Sequence, residues 1–187
     1  MDEKAALDFF FELGMLSRIP EEGIKMLGLR VGNSVAEHNL RAAQIGFILA
    51  RMEGYEKPEE VAAMVLFHEI GECRIGDVHF VARQYVRIDE EKAIINQTEK
   101  LGATGKQILD MWRNYEYRNT RAGVIARDAD WLEHAVNARE LIEQGYADAE
   151  VWVQNVEKLV RTPSAKRLAA ALYKATPSEW WKKLNKP

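Results

Sequence analysis

The sequence predicts an all-α fold, a bundle of helices. Apolar residues recur at spacings of three and four in one segment after another, and the two-residue alternation of a strand is nearly absent. Helix punctuation separates the segments, with Ser, Thr and Asp before them, Gly after them and Pro at first positions. The chain has 187 residues, 47% of them hydrophobic and 29% charged, which suits one globular domain over residues 1–187 with one core.

The first helix is expected from about Glu3 to Leu16, with Ala6, Leu7, Phe10, Leu13 and Leu16 as its stripe. Pro20 disfavours helix in the residue before it, so Arg18 lies just past the helix end, where its local reading is a cation favoured by the helix dipole. Gly23, Gly28 and Gly32 make the next stretch a loop. Ser34-Val35-Ala36-Glu37 is a capping box that starts a helix running to about Met52, with His38 in its first turns.

Gly54 ends that helix, and Pro58 opens a third that is expected to run through Val61–Phe67 and His68-Glu69 to about Cys73. Gly76 then leaves Asp77 in a loop, and 78–87 reads as short helix or coil. Asp89 starts the next helix and Gly102 stops it. Helices follow over 105–117 and from Thr120 to Gln144, the longest periodic segment, which Gly145 ends. Another covers 147–160. Thr162-Pro163 opens the next, and Thr176-Pro177-Ser178-Glu179 reads as a capping box for a terminal helix whose Trp180 and Trp181 suit packing or a subunit contact.

Two places in this pattern need a chemical reason. The apolar run Val61–Phe67 leads straight into His68, Glu69 and Glu72, and unpaired charges at a core edge are costly. On a continuous helix His68 and Glu72 share a face. The long helix carries Asp128 and Asp130 between apolar positions, although Asp is a poor helix-interior residue. A salt bridge or kink accounts for such residues, and so does a divalent metal, whose ligands are neutral imidazole and carboxylate. His38, near a helix N-terminus, is biased toward the neutral form that binds metal.

His38, His68-Glu69 and Asp130 would bring two imidazoles and two carboxylates from three helices. With Leu16-Ser17-Arg18, Ser34–His38, His68–Glu72, Gly76-Asp77 and Ala129–Leu132, the sequence from Leu7 to Glu143 resembles the HD-domain metal-dependent phosphohydrolase superfamily, and within it the 5'-deoxynucleotidases. The resemblance implies a divalent ion such as Mn²⁺ or Co²⁺ on His38, His68, Glu69 and Asp130. It implies Glu72 as acid/base, Asp77 as a second catalytic or water-orienting carboxylate, and Arg18 as the substrate's phosphate contact. It implies removal of phosphate from (deoxy)nucleoside 5'-monophosphates, and a homodimer. Hydrolysis of a nucleotide diester or polyphosphate, or a non-catalytic metal- or nucleotide-binding module, are the alternatives.

The chain departs from that family in one place: the family's His-Asp pair is His68-Glu69 here, one methylene longer. Asp128 rivals Asp130 as last ligand. Asp130 is preferred because the family's Ala-Asp is followed two positions later by an apolar residue, here Leu132. His134 and His79 are expected to pack beside the site rather than bind the ion.

Composition narrows the partners. A net charge of −3 without a basic stripe argues against a nucleic-acid polymer. No stretch approaches the roughly 18 apolar residues of a membrane span, and Asp2, Glu3 and Asp8 interrupt any N-terminal export signal. The single Cys73, read as a packing residue, suits a reducing cytoplasm. No Gly-rich phosphate loop with Lys is present.

Overall fold

The computed structural model describes residues 2–184; Met1 and residues 185–187, which the domain reading of 1–187 includes, lie outside it. The described residues form ten α-helices and no strand: α1 (Glu3–Leu13), α2 (Val35–Met52), α3 (Pro58–Leu66), α4 (Glu72–Ile75), α5 (Glu90–Thr98), α6 (Ala103–Tyr117), α7 (Arg121–Glu143), α8 (Glu150–Leu159), α9 (Pro163–Leu172) and α10 (Glu179–Lys182). Short 3₁₀ turns join them at Glu22–Leu27, Ala82–Gln84, Glu99–Leu101 and Ala147–Ala149.

Helix α7 is the hub, packing against α2, α3, α6, α8 and α9. It buries Ala126, Ala129, Leu132, Ala135 and Leu141 together with Asp128, Asp130 and Glu133. Apolar residues around much of its circumference suit a helix surrounded by others. Small residues set the spacing: a Cβ on Gly123 would stand 2.0 Å from the Asn114 carbonyl oxygen, so α6 and α7 meet there backbone to backbone. The largest apolar cluster joins α2, α3, α7 and α9 through Leu49, Val61, Val65, Ile125 and Ala169. A second cluster, with Phe9, Val35, Ile70, Ile94 and Trp112, sits under α1 and α5, and Met111 touches both.

Most starts and stops are where the residues put them. Ser34 and Glu37 form both halves of the capping box. Asp89, Thr120 and Thr162 cap α5, α7 and α9 through their side chains. Gly145 follows α7 with φ 103°.

Three boundaries differ. Helix α1 ends at Leu13 rather than Leu16, with Gly14 at its C-cap and the Met15, Leu16 and Arg18 amides donating to carbonyls three residues back. Thr176 caps nothing: the Glu179 amide donates to the Thr176 carbonyl, Ser178 takes the N-cap position and α10 is one turn long. The third helix does not continue to Cys73. It ends at Leu66, Phe67–Gly71 form turns, and Glu72 begins the separate α4. The His68 ring explains the break, because its Nδ1 donates to the Val65 carbonyl at 2.6 Å, the acceptor that the Glu69 amide would take in a continued helix.

Candidate metal centre

His38 leaves the first turn of α2, fully buried, and meets α7. Its Nδ1 lies 2.5 Å from Glu133 Oε2. A carboxylate only accepts, so Nδ1 carries a hydrogen, and in the neutral ring Nε2 keeps the lone pair. The same logic holds for His68, whose Nδ1 faces a carbonyl. Both imidazoles are thereby fixed with Nε2 turned toward one point, the orientation that metal-binding histidines take from their outer partner.

Asp130 meets them there. Its Oδ1 is 3.2 Å from His38 Nε2 and 3.7 Å from His68 Nε2. Its Oδ2 accepts a hydrogen bond from the Tyr115 hydroxyl at 2.6 Å, which fixes the carboxylate plane. His38 Nε2, His68 Nε2 and Asp130 Oδ1 are all buried without a hydrogen-bond partner. Three unpartnered donor atoms converging in the interior are costly unless something binds them. Their positions suit one ion, and their types, two neutral nitrogens and an anionic oxygen, suit a divalent first-row metal.

Glu69 stands beside this group. Its carboxylate oxygens lie 3.5 Å from His68 Nε2 and 4.0 Å from His38 Nε2. Asp128 points elsewhere, accepting from the Arg161 and Thr162 amides at 3.0 and 2.6 Å, where it anchors the start of α9.

The charges interlock. Burial opposes protonation of His68, yet Glu69 and Asp130 overcome it and push its pKa up to about 10; His38 is raised in the same way. Asp130 is held well below the usual carboxylate range, against its burial, by His134, His38 and His68. A cation bound at Nε2 competes with those protons, so binding would be pH-dependent.

A cavity of about 590 Å³ opens onto this cluster, within the size range of small-molecule sites. Glu69, Glu72, Asp77, Asp130 and His134 line it. Glu72, the first residue of α4, is buried with Oε2 unpartnered, and burial, then Glu69, Asp77 and Glu90, push its pKa up to about 9. Asp77 accepts from the Glu22 amide at 2.6 Å, tying its loop to the 22–27 turn. Ile24, Trp131, Trp152 and Val156 give the cavity an apolar side. His79, also a wall residue, accepts from the Ala82 amide at 3.3 Å.

Arg18 is not among the wall residues. It is exposed and its guanidinium rests on the Met15 sulfur at 3.5 Å.

Several site residues carried little sequence signal. Glu133 is fully buried, accepts from Arg41 Nε at 2.7 Å and orients His38; its spacing of three from Asp130 was the available clue. His134, expected to pack beside the site, stacks on His38 with centroids 4.5 Å apart and puts Nε2 3.4 Å from Asp130 Oδ1. Glu21, Tyr115 and Arg127 had no local pattern to mark them. Glu21 faces His38 and His134 at 3.8 and 3.6 Å, and burial first of all pushes its pKa up to about 7.

Known proteins resemble this chain in sequence and in fold. A protein of Dictyostelium discoideum named 5'-deoxynucleotidase HDDC2 is 31% identical over 150 residues, 74% of this chain and 78% of its own. The Xenopus laevis protein of that name is 23% identical, covering 91% and 87% of the two chains. A solved chain called genomics APC5600 superposes with a TM-score of 0.80 at 34% identity, over 95% of this chain and 99% of that one. A predicted metal-dependent phosphohydrolase from Magnetospirillum magnetotacticum shares the fold, with a TM-score of 0.69 at 23% identity over 91% and 90% of the chains. Residues 13–172, from the end of α1 to the end of α9, match the family model described as HD domain, and the chain therefore belongs to the HD-domain family.

Proposed function

We propose that the protein is a metal-dependent phosphohydrolase that releases phosphate from (deoxy)nucleoside 5'-monophosphates. The observation that carries this reading is the convergence of the unpartnered His38 Nε2, His68 Nε2 and Asp130 Oδ1 on one point of a substrate-sized cavity. The relatives named 5'-deoxynucleotidase supply the substrate class.

In this proposal His38, His68, Glu69 and Asp130 hold the ion. Two imidazoles and two carboxylates, with no thiolate, favour Mn²⁺ or Co²⁺. When bound, the ion supplies Lewis acidity toward a phosphoryl oxygen and toward water. Glu72 faces the cavity from a buried position and exchanges the proton between water and the leaving 5'-oxygen. Asp77, fixed by the Glu22 amide, orients the attacking water. Arg18 is the outer phosphate contact. No carboxylate pairs with its guanidinium among the described residues, and its segment leads through Pro20 into the wall residue Glu21. The apolar side of the cavity takes the nucleoside.

The clusters bridged by Met111 support one domain over the described residues. Phe10 and Phe11, exposed on α1, support a homodimer, which sedimentation checks. No helix of the described residues is long and apolar enough to cross a membrane. The unpaired Cys73 thiol suits the cytoplasm.

The test is phosphate release from a panel of nucleoside and deoxynucleoside 5'-monophosphates by metal-stripped protein refilled with Mn²⁺ or Co²⁺. Turnover that depends on added metal is expected. Metal binding without release from any monophosphate contradicts a nucleotidase and favours a binding module.

A further inference from the structure

The residues lining the cavity include many carboxylates and two guanidiniums, those of Arg83 and Arg127. A phosphate monoester entering such a site needs cationic partners beyond the ion, because its own charge is repelled by the remaining carboxylates. Arg83 is exposed and donates through Nε to the Val78 carbonyl at 2.7 Å. Arg127 is different. It stands three residues before Asp130 on α7, with its side chain only 20% exposed.

The guanidinium of Arg127 lies against two aromatic rings, 4.7 Å from the Tyr115 centroid and 5.2 Å from that of Trp131. Such packing fixes its plane and strips its water. Its polar contacts leave capacity unused. Nη1 meets Glu116 Oε2 at a long 3.3 Å, and Nε is buried with no hydrogen-bond partner. Nε lies 3.9 Å from Asp130 Oδ2, the oxygen turned away from the imidazoles. One carboxylate therefore separates this cation from the point where His38 and His68 converge.

We infer that Arg127 is a phosphate-positioning residue of the cavity: its guanidinium takes a phosphoryl oxygen of the substrate. The inference rests on the phosphohydrolase reading and adds to it a specific contact from the cavity wall, distinct from the proposed contact of Arg18, which is not a wall residue. A purely structural reading makes Arg127 a neutralising partner of Asp130 and Glu116, and the two readings part experimentally.

The experiment uses the full chain loaded with Mn²⁺, with inorganic phosphate as the probe and dAMP as the substrate. Metal content, phosphate affinity by calorimetry and by phosphate-dependent melting, and the KM and kcat for dAMP are measured for wild type, Arg127→Gln and Arg127→Lys. Arg127→Gln should keep its metal while losing about 10- to 100-fold in phosphate affinity, the scale of one charged hydrogen-bonding partner, with a matching rise in KM. Arg127→Lys, which keeps the charge without the planar fork, should recover part of the affinity. If Arg127→Gln does not fold, Arg127→Lys decides by the same measurements, with impaired phosphate affinity at full metal content as the supporting result. Phosphate affinity within twofold of wild type in Arg127→Gln, or in Arg127→Lys where only that variant folds, overturns the inference, and so does loss of metal in parallel with phosphate. A wild type that releases phosphate from no monophosphate refutes the hydrolase reading and this inference together; an active wild type with an unaltered Arg127→Gln refutes the inference alone.

Discussion

His38 Nδ1 and Glu133 Oε2 lie 2.5 Å apart where α2 crosses α7, and this contact decides which nitrogen His38 offers to the cavity. Glu133 is fully buried, and Arg41 balances its second oxygen. Removing the charge of Glu133 should therefore act on the metal, through the imidazole. Glu133→Gln is expected to weaken metal affinity about 10- to 100-fold, the usual cost of losing an outer partner of a ligand. Competition with a chromogenic chelator measures it, and an unchanged dissociation constant would separate His38 from the ion.

Glu69 tests the longer side chain of the His-Glu pair. Its Oε1 sits 3.5 Å from His68 Nε2 and its Oε2 4.0 Å from His38 Nε2. Glu69→Gln replaces an anionic oxygen with a neutral one and should weaken metal binding on the order of tenfold or more. Glu69→Asp draws the carboxylate back by one methylene and should bind less tightly than wild type. Equal affinity for Glu69→Gln and wild type would take Glu69 out of the coordination.

Glu72 lines the cavity from α4, separate from the converging donor atoms. Glu72→Gln should keep the metal and the nucleotide while kcat falls about 10²–10⁴-fold, as for a lost general acid/base. Loss of metal in the same sample would make Glu72 a ligand. Full activity would leave Asp77 as the leading proton-transfer group.

Cys73 gives a pH test away from turnover. Burial, and then Glu12, push its thiol up to about 11 from an ordinary 9.0. The folded value is the higher, so the neutral thiol's contribution to stability is fully present below about pH 9 and is lost as the pH rises through 11. Iodoacetamide labelling of native protein should be slow at pH 8, and its rate should climb about tenfold per pH unit up to about pH 10 and level off only above pH 11. A rate that levels off near pH 9 would contradict this environment.

The fold was largely legible because its signals are local. Ser34-Glu37, Asp89, Thr120 and Thr162 act within one turn of their own position, and the structure has them as caps. The end of α3 was not, because the cause is a side chain, His68 Nδ1 bonding back to Val65. The His and acid residues that converge on α7 were visible as costly residues in apolar surroundings. Glu21, Tyr115 and Arg127 were not visible in that way, since only the packing of distant segments gives them a role. Arg18 shows the reverse: a position marked in the sequence whose side chain stands outside the cavity walls.

The most direct test of the central claim is a metal count by mass spectrometry on wild type and His68→Ala, each equilibrated with Mn²⁺ and freed of excess. About one ion per chain is expected in wild type, little or none in His68→Ala, and loss of the metal-dependent rise in melting temperature with it. Equal metal content in the two proteins, with both folded, would contradict a centre built on His38, His68, Glu69 and Asp130.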